Sequence, residues 1–160
     1  MNRRLLSVLA VLAVLGASGV AHASPPTTAS GTYVVTAITG FALHPAGPNA
    51  FGEQTTTGVF AGTLTGTFED EIRFIVHPNG LVGARGTLTC VCTVSGRSGT
   101  LEFVQVSTGD FEAQAFEGRA IITRGTGDLV GLHGVLHLLG TVDPGGLATV
   151  SYAGQINFAP

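Results

Sequence analysis

Beyond its apolar N-terminus, the chain alternates apolar and polar residues with a period of two. Between Val59 and Phe68, Phe60, Leu64 and Phe68 share one face with Gly62 and Gly66, while Val59, Ala61, Thr63, Thr65 and Thr67 take the other. A period of two, β-branched enrichment and glycine punctuation predict strands, and no window sustains the 3.6-residue period of an amphipathic helix. The expected strands are Thr32–Thr39, Thr56–Gly66, Thr67–His77, Leu81–Val94, Thr100–Ser107, Phe111–Glu117, Arg119–Thr123, Leu132–Val142 and Leu147–Phe158. Turn chemistry separates several of them, at Pro78-Asn79-Gly80, Ser95 to Gly99 and Asp143-Pro144-Gly145-Gly146. Links this short pair neighbours antiparallel. About eight such strands can close on themselves, which removes exposed edges. The pattern therefore predicts an all-β fold, a single antiparallel up-and-down barrel.

Three segments depart from the alternation. Met1 to Arg4 is a short basic region, Leu5 to Val20 is apolar, and Ala21-His22-Ala23 has the small-x-small form of a cleavage site. That layout predicts a signal peptide over 1–23, removed on export, and hence a secreted or periplasmic protein with no membrane insertion afterwards. Ser24 to Gly31 is rich in Pro, Ser and Thr and reads as a flexible leader to a barrel domain over 32–160. Gly40 to Gln54 holds Pro45, Pro48, Phe41 and Phe51 and reads as a long loop. Such loops often serve as lids. Phe41 and Phe51 either cover a barrel mouth and touch a ligand, or pin the loop to the core.

Composition changes the picture in one respect. All seven cationic residues are arginine, and two of them, Arg3 and Arg4, lie in the signal, leaving five against ten Asp+Glu. The remainder carries 5 − 10 = −5 with histidine neutral. An acidic domain without lysine lacks the cations that displace counterions, so neither nucleic acid nor an anionic membrane is an expected partner.

Candidate chemistry is sparse. Arg124 to His137, RGTGDLVGLHGVLH, could be taken for a phosphate loop followed by a metal pair. A phosphate loop needs a helix after it, and here a strand pattern follows. His133 and His137 would sit roughly 13 Å apart along a strand, whereas zinc holds its nitrogens at about 2.1 Å. They cannot share one ion, and no metal or cofactor is expected. Their face, with Val135 between them, either lines the lumen, where both would meet a ligand, or meets solvent. Cys90 and Cys92 point the same way on one strand and form a disulfide candidate. Their Cα atoms would lie about 6.6 Å apart, near the upper limit for a bridge, which a bulge would ease. Glu69, Glu71, Arg73 and His77 share a face that is either solvated surface or an inward acid/base array, with Phe68, Ile72, Phe74 and Val76 opposite as the natural core side. Phe103 and Gln105 share a face with Leu101, making Gln105 a candidate lone polar group in an apolar lumen.

The runs FAGTLTG (Phe60–Gly66), SGRSGTLEF (Ser95–Phe103) and GTGDLVGLHG (Gly125–Gly134) resemble a bacterial domain family of unknown function. The resemblance spans roughly Thr55 to Phe158. It implies the small calycin-like barrel of plant allene oxide cyclase, an architecture similar to that of dirigent proteins. It carries no catalytic residue set, and the longer strand with both cysteines and the lack of tryptophan depart from the family's usual pattern. What it implies is a lumen suited to an apolar small molecule. Two readings stand: a secreted barrel that binds such a ligand, as a monomer or homo-oligomer, and a cyclase or isomerase acting on a small hydrophobic substrate.

Overall fold

Alternating strands bury one face each only if the sheet curls up, and here it closes. The computed structural model describes residues 25–159. Its strands are β1 (Thr27–Ala46), β2 (Asn49–Gly62), β3 (Leu64–Val76), β4 (Leu81–Val94), β5 (Arg97–Asp110), β6 (Ala115–Gly125), β7 (Leu132–Val142) and β8 (Ala148–Phe158). Each pairs antiparallel with its sequence neighbours and β8 returns to β1, giving the closed up-and-down barrel that the alternation predicts. The predicted signal, 1–23, lies outside the described residues.

Several local expectations are corrected: β2 and β3 divide at Thr63 rather than at Gly66, and Arg119–Thr123 is continuous with the residues before it in β6. Thr27 to Gly31 is not a leader: it opens β1 and pairs with Ile156 to Tyr152 of β8. Gly40 to Gln54 is not a loop but a hairpin, paired from Gly40↔Thr55 to Ala46↔Asn49. Beyond Val34, β1 has no β8 partner, so this is an edge, where proline is accommodated. Phe111 to Gln114 is a turn rather than the start of a strand. Asp110 Oδ1 accepts the backbone N–H groups of Glu112 and Ala113 at 2.8 and 3.0 Å, which turns the chain there and moves the start of β6 to Ala115.

The two ends of the barrel differ. At one end Leu64, Val94, Leu101 and Leu132 are all buried, and a single 3-10 turn, Gly127–Leu129, folds beneath them with Leu129 fully enclosed. Gly99 and Gly125 make room for it, since a Cβ on either would collide with the carbonyl of Thr126 or Leu129. This is the structural work of the glycine-rich segment after Arg124: it plugs the barrel. At the opposite end, where β1 meets β2 and β3 meets β4, inward residues are left partly open. Phe41 is 62% and Leu43 48% exposed although both alternate inward.

Truncating the plug should therefore be costly. Leu129→Ala is expected to lower unfolding stability by about 2–5 kcal/mol, the usual cost of a buried Leu→Ala cavity. Urea denaturation would measure it, and a change below about 1 kcal/mol would mean that Leu129 does not seal this end.

Candidate functional site

Register brings the polar residues of the interior together. Thr56 on β2 stands opposite Asp70 on β3, which stands opposite Leu88 on β4 and, beyond it, Phe103 on β5. One layer nearer the open end, Gln54, Ile72, Gly86 and Gln105 line up in the same way. Gln105 Nε2 reaches diagonally between the layers and donates a 2.6 Å hydrogen bond to Asp70 Oδ2. Thr56 and Asp70 are each only 2% exposed. The other carboxylate oxygen, Asp70 Oδ1, and the hydroxyl Thr56 Oγ1 are buried with no hydrogen-bond partner among the described residues.

The surroundings explain the electrostatics. Tyr33, Phe60 and Phe68 pack edge-on or tilted with ring centroids 5.2–5.4 Å apart, and Phe103 stacks on Phe60 at 6.2 Å. Removing a carboxylate from water into such a wall disfavours its charged form. Burial pushes the Asp70 carboxyl up from its ordinary 3.8 to about 7; the Gln105 hydrogen bond opposes this and the Glu71 charge adds to it. Burial also raises the Tyr33 hydroxyl well above its usual range, helped by the charge of Asp70.

Above this pair the barrel opens. Phe41 and Phe74 face each other across the β1–β3 side of the mouth, ring centroids 6.2 Å apart, and the Phe74 ring lies over Gly52, where a Cβ would strike it. Ile38 joins them at 37% exposure. Ile38, Phe41 and Phe74 dominate the inward side chains here, with Gln54 beside Phe41, and Gln105 and Asp70 lie buried beneath them.

The sequence candidates divide accordingly. Phe103 and Gln105 point into the lumen, and Gln105 is not alone there, because Asp70 and Thr56 accompany it. Phe41 lines the mouth from a strand rather than a loop. Phe51 is corrected: it alternates outward opposite Ile75 and is 49% exposed, so it covers no mouth. His133 and His137 are also corrected. Leu132, Leu136 and Leu138 take the inward positions of β7, leaving both histidines on the solvent face.

Glu69, Glu71, Arg73 and His77 lie outside as charged surface, with Arg73 Nε 3.1 Å from Glu53 Oε1. Two open grooves beside the mouth combine inward residues, Phe41, Gln54 and Ile72 in one and Phe74 in the other, with the outward Glu53, Arg73 and Arg85. Cys90 and Cys92 are inward, buried and joined, with Cα atoms 5.4 Å apart. The bridge forms without a bulge, since the ladders to β3 and β5 run through both without a register shift. Among the described residues, no three His, Cys, Asp or Glu side chains gather for a metal ion.

Asp70 is the residue that sequence reasoning passed over. Its signal was present: on β3 it alternates with Phe68 and Ile72, on the core side, while Glu69 and Glu71 alternate outward.

In the folded chain Asp70 keeps its proton where the unfolded chain has lost it, from about pH 4 to about pH 7. Its contribution to stability is thus present at acid pH, declines as pH rises through that window and levels off above it. Asp70→Asn cannot titrate. It should match the parent near about pH 4 and exceed it by roughly 2–4 kcal/mol at about pH 8; parallel stability profiles would remove the argument. For the cysteines, the intact mass of the unreduced protein should fall short of the reduced mass by two hydrogens, and equal masses would mean free thiols.

Comparison with known proteins agrees with this architecture. A protein of unknown function from Shewanella oneidensis, of the DUF3224 family, superposes with a TM-score of 0.61 at 17% identity, covering 84% of this chain and 99% of its own. A pterocarpan synthase dirigent protein superposes at 0.51 and 13% identity, covering 96% and 98%. These likenesses show a shared barrel fold. No curated protein matches the sequence. The family model for proteins of unknown function named DUF3224 matches residues 29–152, nearly the whole barrel from β1 into β8, and the chain belongs to that family.

Proposed function

We propose that this is an exported protein whose barrel mouth takes up a small, largely apolar molecule. The observation that carries this reading is the exposure of inward apolar side chains at one end only. Ile38, Phe41 and Leu43 are open, while their counterparts at the sealed end are buried. Exposed apolar surface inside a concave mouth is what a hydrophobic ligand covers, and a few convergent polar groups fix its orientation. Gln105 and Asp70 supply those groups at the floor.

Asp70 also favours a second reading, a cyclase or isomerase of the type suggested by the dirigent likeness. A carboxyl tuned close to neutral pH can both give and take a proton at the bottom of an apolar site.

Native mass spectrometry of the protein recovered from the export compartment tests the first reading. It should begin near Ser24 and either carry a co-purifying apolar mass or bind the neutral dye Nile red. Phe41→Asp should weaken dye uptake about tenfold, or about 1.4 kcal/mol. Undiminished uptake would move the site away from the mouth. Recovery of the bound molecule unchanged favours binding, and recovery of an isomer favours turnover.

A further inference from the structure

The two unpartnered atoms on the floor are the least explained feature of the interior. A buried hydroxyl and a buried carboxyl oxygen without partners each cost free energy, because each has given up water without a replacement. Native cores seldom hold even one such group without a reason. Here there are two, Thr56 Oγ1 and Asp70 Oδ1, on directly opposed residues of β2 and β3. Gln105 donates one amide N–H to Asp70 Oδ2, and neither its second N–H nor its carbonyl oxygen reaches either atom.

The chemistry of the missing group can be read from its neighbours. Thr56 Oγ1 both donates and accepts; Asp70 Oδ1 accepts when ionised and, with Oδ2 accepting from Gln105, carries the proton and donates when neutral. A hydroxyl donates one hydrogen bond and accepts others, so a single hydroxyl satisfies both atoms together. A pure hydrocarbon satisfies neither. The rim selects further. The turns around the mouth carry Asp110, Glu112 and Asp143 and neither lysine nor arginine. A carboxylate ligand would pass these charges and meet Asp70 below, and of the two arginines beside the mouth Arg73 is already paired with Glu53. We propose that the mouth recognises a neutral, mainly apolar molecule bearing a hydroxyl, which enters past Phe41 and Phe74 and bridges Asp70 Oδ1 and Thr56 Oγ1. This rests on the reading of the mouth as a ligand site and adds the ligand's chemical class.

Three probes of one ring shape test it: 2-naphthol, naphthalene and 2-naphthoate, titrated calorimetrically into the full mature protein. The expected order is naphthol tightest by about tenfold over naphthalene, with naphthoate weakest. Thr56→Val removes the hydroxyl at nearly constant shape. It should bring the naphthol-to-naphthalene ratio close to one, and it should raise the thermal midpoint of the free protein, because an unpaired polar group has been deleted. Equal binding of naphthol and naphthalene to the parent overturns the hydroxyl assignment and leaves the apolar mouth standing. An unchanged ratio in Thr56→Val also overturns it, as does naphthoate binding as tightly as naphthol. Failure of all three probes to bind overturns the mouth as a ligand site, and this proposal with it.

Discussion

The molecule depends on one seam. β1 and β8 pair only from Thr27↔Ile156 to Val34↔Thr149, and that ladder alone turns a meander into a ring. Just past it, the β1–β2 ladder shifts register between Val35 and Ala37 and again between Ile38 and Gly40. Bulges of this kind bend a strand and increase its twist, and here they take β1 away from β8. The side chain of Ile38 then lies beside Gly146 in the turn before β8. The short seam is why the barrel has a solid end and an open end. Below the bulges the ring is complete and packs around Leu64, Leu101 and Leu129; above them β1 and β2 continue as a hairpin whose inward Phe41 and Leu43 stay exposed.

Asp70 sits at the boundary between these regions. A barrel selected only for packing would place an aliphatic residue there, as Leu88 does on the neighbouring strand. The carboxyl instead depends on one hydrogen bond and on keeping its proton near neutrality. Local conflict between burial and polarity tends to mark functional positions, and in this interior the conflict is confined to Asp70, Thr56 and Gln105 among the described residues.

Much of this was legible from the chain. Alternation located β4 and β7 from end to end and set Phe103 and Gln105 inward, because a period of two leaves no freedom about which face a residue joins. The hairpin from Gly40 to Gln54 was hidden by its edge character: Pro45, Pro48 and the glycines are loop residues by composition, and an edge strand tolerates them. Thr27 to Gly31 was hidden because its partner, β8, is the most distant strand in sequence. Asp70 was masked by Glu69 and Glu71, which make the run look like solvated surface; only strict alternation separates it from them. The orphaned oxygens could not be read at all, since they depend on the cross-strand register of β2 with β3.

The seam also sets an order in time. Its two strands are the first and the last of the barrel, so every other ladder can form between neighbours while this one must wait for the whole chain. Contacts of such long sequence separation form late and leave strand edges unsatisfied in the interval. Until Ala148–Phe158 is made, β1 and β7 each present a free edge. The ring can therefore close only once its final strand is in place beside β1.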